Sequence, residues 1–310
     1  MKSRRELACF VVSGVLAALL ATVDTTAHAA PPAPAAPAPS RPDLPTGAPY
    51  THGTYVAMGD SRAAGGSATL TVDYQLNPCR RSGDNYPSLV RDRIAPRQFI
   101  DISCIGAESA NVRQYPQVMG MNVGSLGSGS TSFTIEPQIH RVPGNAQVIT
   151  ISTGGNDLGW AKILTKCNVR NHAGCRFNPN QKRRAAYGLH MLSIQSGTTL
   201  RAIRAKAPQA QIFTVGLGGF IGKRGCRQVQ LSNGDAVWMN KLFADANTRL
   251  RKETEAVGGK FIDIADAGHD PCSARPWFFG RNAPAGNMAF HLNALGRGVL
   301  AARIAGSIRR

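Results

Sequence analysis

Ser61 occupies a position where a serine could act as a nucleophile. The run from Thr54 to Met58 is apolar, β-branched and aromatic, and it stops abruptly at Gly59, Asp60 and Ser61. Such a run favours a strand, and Gly59 permits a sharp turn that places Ser61 at the carboxyl end of that strand. Ligands bind at this end of an open parallel sheet. Ser61 is therefore a candidate nucleophile, and it requires a base and an oxyanion hole from elsewhere in the chain.

Two more polar blocks follow two more predicted strands. Gly106 comes soon after the apolar run 99–103, and Asn156 lies in a Gly-Gly-Asn-Asp block after the run 146–152. In a doubly wound sheet the ends of such strands are neighbours in space. Each block alone is a weak signal, because these residues also compose ordinary turns. Three blocks at three successive strand ends predict one shared site.

The elements that must position these blocks alternate along the chain. Helices are predicted at 86–94, 181–205, 235–257 and 293–308, and two further strands at 211–215 and 261–264. Strands that alternate with helices imply a parallel sheet covered on both faces. The predicted fold class is α/β, a three-layer α/β/α sandwich with a five-stranded, flavodoxin-like, doubly wound sheet. The Gly/Ser-rich stretch 119–134 and the stretch that contains Cys167 and Cys175 are predicted to be loops.

The first fifty residues are not expected to belong to this fold. Residues 1–29 combine a positive start, an apolar stretch and an Ala-His-Ala cleavage site, which is typical of a signal peptide. Residues 30–49 are rich in Pro and Ala and predict a flexible spacer. The domain is assigned to 50–310, and the protein is expected to be secreted. The sequence leaves the choice between general and twin-arginine export open.

Six cysteines remain outside the predicted signal peptide, an even number that in an exported protein favours disulfides. Six cysteines allow 15 connectivities, and pairing neighbours in sequence is the expectation. The predicted pairs are Cys79 with Cys104, Cys167 with Cys175, and Cys226 with Cys272. Because no C-x-x-C or clustered Cys/His spacing is present, neither a metal site nor a cofactor is expected.

The formal net charge of the chain is +18. Such an excess promotes contact with anionic membranes or acidic cell-wall polymers. The basic residues are scattered along the sequence rather than grouped with aromatic residues, so nucleic-acid binding is not expected. A monomer is the expected state.

A fourth block completes a known pattern. His291, Asn293 and Gly296 form an H-x-N-x-x-G signature just before the last predicted helix. Together the Ser, Gly, Asn and His blocks resemble the SGNH (GDSL-type) hydrolase family, from about Thr54 to Gly296. With the paired cysteines and the region 268–277, the chain is similar to the secreted actinobacterial esterase and lipase branch.

The resemblance implies a role for each block. Ser61 would attack an ester carbonyl, and His291 would accept its proton and return it to the leaving alcohol. The backbone N–H groups of Ser61 and Gly106 and the side-chain amide of Asn156 would form the oxyanion hole. Asp60 and Asp157, beside these residues, are expected to be structural and to bond the backbone of their turns.

The chain departs from the family at one position. Family members commonly place an aspartate three residues before the histidine, and here that residue is Met288. The main-chain carbonyl of Met288 is therefore predicted to orient His291, which leaves a Ser61/His291 dyad. Asp266 and His269 have the D-x-x-H spacing that His291 lacks, but His269 is not followed by a helix, and His291 is preferred as the base.

The resulting prediction is a secreted serine carboxylic-ester hydrolase, an esterase or lipase. A lipid or other acyl ester is the first choice of substrate. An O-acetyl polysaccharide esterase and a phospholipase are alternatives within the same chemistry. From a different class, a cell-wall or lipid-binding protein without catalysis would use the Pro-rich spacer and the positive charge.

Overall fold

A computed structural model describes residues 53–65, 71–72, 75–122, 130–168 and 174–308. All of them belong to one compact unit, Leu44–Arg310. The predicted signal peptide, 1–29, and spacer, 30–49, lie outside the described residues, and both stay predictions.

The described residues contain strands β1 to β9 and helices α1 to α8. The strands are Thr54–Gly59, Thr71–Val72, Gln75–Leu76, Gln98–Asp101, Gln117–Asn122, Ser130–Ile135, Val148–Ser152, Gln211–Val215 and Lys260–Ile262. The α-helices are Ser61–Ala64, Tyr86–Ile94, Ser109–Arg113, Gly155–Leu158, Trp160–Lys166, Pro179–Lys206, Asn233–Glu255 and Ala294–Ala305. Two short 3-10 helices cover Gln138–Arg141 and Cys175–Phe177.

Five strands form the central sheet in the order β4-β1-β7-β8-β9, and every pairing is parallel. The sheet begins with β1, and β4 is added at one of its edges. The later strands β7, β8 and β9 are then added in order on the other side of β1. This is the flavodoxin-like order, with its switch point between β1 and β7. The predicted fold class is confirmed.

Both faces of the sheet are covered. All residues of β1 and β7 are buried, as expected for strands of a covered parallel sheet. Along β1 the side chains alternate between two cores: Tyr55 and Ala57 pack with α2 and α8, and Val56 and Met58 pack with α3 and α6. The helix α7 packs against α6 and β9. These layers hold the carboxyl ends of β4, β1 and β7 side by side.

One predicted loop is wrong. Residues 119–122 and 130–134 belong to two antiparallel strands, in which Gln117 pairs with Ile135 and Asn122 with Ser130, and 123–129 lie outside the described residues. The Gly/Ser composition suggested a loop, but Met119, Phe133 and their neighbours alternate at strand period. The predicted loop around Cys167 is also partly wrong, because Trp160–Lys166 is helical.

The three disulfides join the predicted pairs. Cys79 bonds Cys104 and so ties the segment after β1 to the segment after β4. A second bond links the end of α5 to the 3-10 helix before α6, and a third links the loop after β8 to the loop before α8. These two pairs are Cys167–Cys175 and Cys226–Cys272.

Candidate active site

The turn after β1 presents Ser61. Gly59 has φ +118°, and a Cβ on it would lie 2.0 Å from the carbonyl oxygen of Ser152 on the neighbouring strand. Only glycine therefore fits at this position. Asp60 caps α1, since its Oδ1 accepts from the backbone N–H of Arg62 at 3.0 Å and from Ser152 Oγ at 2.9 Å. These bonds fix Ser61 as the first residue of α1, partly buried at the sheet edge.

His291 reaches Ser61 from the other end of the chain. Its Nε2 lies 2.7 Å from Ser61 Oγ, across 230 residues of sequence. The loop that carries it is held by a bridge between Phe278 and Leu292, and Phe279 N–H donates to the carbonyl of His291 at 2.9 Å. Asn293 then caps α8 through Gly296 N–H. The structure thus brings together the two residues predicted as nucleophile and base.

The orienting carbonyl is not the predicted one. His291 Nδ1 hydrogen-bonds to the main-chain carbonyl of Ala289 at 2.8 Å, so the Met288 assignment is wrong by one residue. The cause is the backbone between them: Phe290 has a left-handed φ of +62°, which turns the chain and brings the carbonyl two residues before the histidine to its ring. Because the carbonyl can only accept, Nδ1 carries the proton and Nε2 accepts from the Ser61 hydroxyl.

The His291 ring stays neutral over a wide range of pH. Burial lowers its pKa to about 4, the bond to the Ala289 carbonyl opposes this shift, and the positive charge of Arg62 adds to it. A neutral imidazole is the form that accepts a proton from a hydroxyl.

Gly106 and Asn156 lie at the ends of the strands on either side of β1. The Gly106 segment is held by Cys104, whose N–H donates to the Gly59 carbonyl at 2.9 Å. Gly106 has φ +75°, and an added Cβ would meet only Gln117 Nε2, at 3.5 Å. Its backbone conformation, and not crowding within the protein, therefore favours glycine. Asn156 Nδ2 donates to the Ala107 carbonyl at 2.9 Å, which places the amide beside the Gly106 segment.

Asp60 and Asp157 have structural contacts, as expected. Asp157 Oδ2 accepts from the backbone N–H of Ser109 at 3.1 Å and from its hydroxyl at 2.9 Å, and so ties α4 to α3. Burial raises the pKa of Asp157 to about 6. Burial also raises the pKa of Asp60, whose contacts cap α1.

The alternative base, His269, has other partners. Its Nδ1 bonds to the Arg275 carbonyl at 2.8 Å, and its ring stacks on Trp277 at 3.8 Å between centroids. Asp266, which would have to orient it, pairs with Arg303 at 2.5 Å. The D-x-x-H spacing therefore does not form a catalytic pair.

A pocket opens at Ser61 and His291, and the sequence did not predict which residues line it. Its volume is about 380 Å³ including the open mouth, and beyond Ser61 and His291 it is walled largely by apolar side chains. The apolar lining consists of Trp160, Leu217, Phe220, Phe243, Phe290 and Leu292. The sequence did carry a signal for some of these residues, because Trp160 and Phe290 stand next to the Asn156 and His291 blocks.

Arg62 is the second functional feature that the sequence reasoning missed. It lines the pocket directly after Ser61, its Nη2 donates to the Gly218 carbonyl at 3.1 Å, and its guanidinium carbon lies 5.5 Å from the Phe278 ring centroid. Its Nη1 is buried without a hydrogen-bond partner among the described residues. A cation in an apolar wall is costly to desolvate, which makes a role in the site worth testing.

Within the described ranges, no group of three or more His, Cys, Asp or Glu side chains could hold a metal ion. None of the described helices combines the length and apolarity that crossing a bilayer demands.

Comparison with known proteins places the chain in a family. The sequence matches the GDSL-like lipase/acylhydrolase family over residues 57–299. It is similar to a lipase from Streptomyces rimosus, with 28% identity over 78% of this chain and 82% of that protein. The crystal structure of phospholipase A1 from Streptomyces albidoflavus NA297 superposes with a TM-score of 0.63 at 25% identity, covering 81% of this chain and 97% of that one. The crystal structure of an extracellular lipase from Streptomyces rimosus superposes with a TM-score of 0.64 at 26% identity, covering 83% of this chain and 100% of that one. The chain belongs to the GDSL-like lipase/acylhydrolase family and is a hydrolase of ester bonds.

Proposed function

We propose that the protein is a secreted serine esterase or lipase that cleaves acyl esters with a Ser61/His291 dyad. The observation that carries this proposal is the pair of bonds on one imidazole, 2.7 Å from Nε2 to Ser61 Oγ and 2.8 Å from Nδ1 to the Ala289 carbonyl. Together they set the tautomer that a general base requires.

Two half-reactions follow from this geometry. Ser61 Oγ attacks the ester carbonyl while His291 Nε2 takes its proton, and the imidazolium then gives that proton to the departing alcohol. Water enters, loses a proton to Nε2 and attacks the acyl-Ser61 ester, and the imidazolium returns this proton to Ser61 Oγ as the acid leaves. The Ala289 carbonyl accepts from Nδ1 throughout. A neutral acceptor stabilises the imidazolium less than a carboxylate would.

Three donors would hold the oxyanion. The backbone N–H of Ser61 lies in the first turn of α1, where N–H groups have no partner inside the helix. Gly106 and the Asn156 amide flank it from the neighbouring strand ends. The bond from Asn156 Nδ2 to Ala107 uses one of the two amide hydrogens, and the other would donate to the developing negative charge.

The apolar pocket supports an acyl substrate. Trp160 and Phe220 have ring centroids 4.9 Å apart, and Phe220 and Phe290 lie 6.0 Å apart, so the wall beside the dyad is aromatic. Such a surface would favour a hydrocarbon chain over a sugar hydroxyl. The similarity to a lipase and to a phospholipase A1 supports a lipid ester, whose chain length the pocket does not specify.

Secretion is part of the proposal. It is supported by the predicted signal peptide, by three disulfides, and by the similarity to a lipase described as extracellular.

Hydrolysis of p-nitrophenyl esters of graded acyl length tests the proposal. The wild type should hydrolyse them, and Ser61→Ala should lower kcat by on the order of 10⁴-fold or more. Asn156→Ala should lower it by ~10²–10³-fold, because it removes one oxyanion donor. The KM should reach a minimum at the chain length that fills the pocket. Equal rates for wild type and Ser61→Ala would contradict the proposed chemistry.

A further inference from the structure

The segment from Leu158 to Gly234 contains thirteen Lys and Arg residues and not one Asp or Glu. The basic residues are scattered over the chain as a whole, but this stretch of 77 positions is free of acids. It begins at the Asn156 block and contains Trp160, which lines the pocket. One end of this acid-free segment therefore borders the active site.

The first turns of α6 project beyond the sheet on the active-site side. Leu200 and Ile203 pack at the level of the sheet, with Val56 and Ile149. Nearer the start of the helix, Gly188 touches the Leu158 carbonyl, just past the carboxyl end of β7. The nine residues before Gly188 must then extend by about another 13 Å at 1.5 Å per residue.

We define the basic rim as Trp160–Lys166, Cys175–Phe177 and the projecting turns 179–187. The disulfide Cys167–Cys175 joins its first two parts. Within this set Lys162, Lys166, Lys182, Arg183 and Arg184 are exposed, and among the described residues none of them has an ion-pair partner. Two aromatic side chains stand among them, Phe177 at 69% and Tyr187 at 65% exposure.

The arrangement is unfavourable for the helix itself. The positive end of a helix dipole favours acidic residues in the first turns. The first turn of α6 has no acidic residue, and Lys182, Arg183 and Arg184 follow within its first two turns. Local stability does not explain three cations at this end, whereas an anionic partner would satisfy both the side chains and the helix terminus.

We infer that the basic rim docks the enzyme onto the surface of an anionic lipid bilayer. This inference rests on the proposed function, because a lipid ester is delivered from such a surface. Lys and Arg side chains would contact anionic headgroups, and Phe177 and Tyr187 would enter the interfacial layer. The mouth of the pocket, beside Trp160, would then face the lipid.

Vesicle sedimentation tests the inference independently of catalysis. The protein used is Ser61→Ala, so that the vesicles are not hydrolysed, and the vesicles are phosphatidylcholine with or without phosphatidylglycerol. We expect binding that requires phosphatidylglycerol and weakens as salt is raised. The rim variant Lys182→Gln, Arg183→Gln, Arg184→Gln should lower the partition coefficient by on the order of 10²-fold, at roughly fivefold for each of the three cations.

The matched control removes the same charge from the opposite edge. Lys206→Gln, Arg249→Gln and Lys252→Gln change three exposed cations near the ends of α6 and α7, where these helices lead into the amino ends of β8 and β9. This variant should retain vesicle binding within a few-fold. Equal losses in the rim and control variants would overturn the inference in favour of net charge alone.

The aromatic pair has a separate signature. Phe177→Ser with Tyr187→Ser should weaken binding by on the order of tenfold while leaving its salt dependence in place. Absence of binding to anionic vesicles would overturn the inference. So would a stronger, rim-dependent binding to a soluble polyanion such as DNA or a polyglycerol phosphate, which would identify a polymer as the partner.

Hydrolysis of a soluble short-chain ester separates this inference from the proposed function. The rim variant that keeps the native Ser61 should hydrolyse p-nitrophenyl butyrate at the wild-type rate. It should hydrolyse phosphatidylglycerol vesicles more slowly than the wild type. A wild type that does not hydrolyse the butyrate ester would contradict the proposed function. The vesicle-binding result would still test the docking inference by itself. Thermal unfolding should show a rim variant at least as stable as the wild type, since the helix terminus loses unfavourable charges.

Discussion

At the scale of single residues, three neighbours of His291 set the orientation and the protonation state of its imidazole. The Ala289 carbonyl accepts from Nδ1 and fixes the ring, the Ser61 hydroxyl donates to Nε2, and Arg62 places a positive charge nearby. The charge and the burial both favour the neutral ring, so His291 is ready to act as a base well below neutral pH. The carbonyl in turn limits how well the imidazolium is stabilised.

The pH dependence of kcat/KM tests this balance. Because only neutral His291 accepts the proton, the rate on a soluble ester should fall as the pH drops through about 4, where the ring protonates. Arg62→Gln removes a charge that opposes protonation, so the pKa of His291 should rise and the acid limb should move to higher pH. Arg62→Lys keeps the charge and should keep the limb near its place. An acid limb that is the same in all three proteins would contradict an electrostatic effect of Arg62 on His291.

At the scale of elements, covalent links hold the strand ends that carry the site. Cys79–Cys104 spans 25 residues and fixes the segment before Gly106, while Cys167–Cys175 spans 8 residues on the other side of the pocket. Loop-closure entropy favours the longer link as a stabiliser. The oxyanion segment should therefore depend on the first disulfide more than on the second.

Replacing each pair of cysteines by serine tests this dependence. Cys79→Ser with Cys104→Ser should cost about 3 kcal/mol of unfolding free energy and lower kcat/KM, because the Gly106 segment loosens. Cys167→Ser with Cys175→Ser is the matched control and should change kcat/KM less. The measurements are thermal unfolding and ester hydrolysis below the unfolding temperature of each variant. A larger loss of kcat/KM in the control would show that activity depends more on the Cys167–Cys175 segment than on the Gly106 segment.

At the scale of the whole molecule, buried groups pull the stability in opposite directions with pH. His291 has a folded pKa of about 4, below the ordinary 6.5, so the unfolded state binds more protons between these values and stability rises with pH. Asp157 has a folded pKa of about 6, above the ordinary 3.8, so the folded state binds more protons and stability falls as pH rises. The two effects partly cancel between pH 4 and 6.

Asp157→Asn should uncover this compensation. The variant cannot ionise, so it avoids the cost of a buried carboxylate, and its Tm relative to the wild type should climb as the pH rises from about 4 to about 7. The gain is at most about 3 kcal/mol, which follows from a shift of about two pKa units and is reduced by partial solvent access. Thermal unfolding of both proteins across this range measures it. A Tm difference that does not change with pH would mean that Asp157 is charged without cost in the folded protein.

The sequence by itself determined the strand ends and the residues at them, while the pairing of the six cysteines was an expectation that the structure confirmed. Period and composition locate a buried strand and the turn after it, because those signals are local. These signals were enough to predict Ser61, Gly106 and Asn156 and the layers that hold them, and the resemblance to the SGNH hydrolase family added His291. The sequence did not reveal the paired strands Gln117–Asn122 and Ser130–Ile135, because the Gly/Ser-rich sequence between them suggested a loop.

Only the tertiary structure decided which carbonyl orients His291, because that depends on a left-handed turn at Phe290 that packing imposes. It also decided that Arg62 and a set of aromatic rings line the pocket, and that α6 projects past the sheet. These features arise where segments far apart in sequence meet, and no local pattern encodes the distance between them. The residue types indicate the reaction, and the tertiary structure sets the distances between the residues that carry it out.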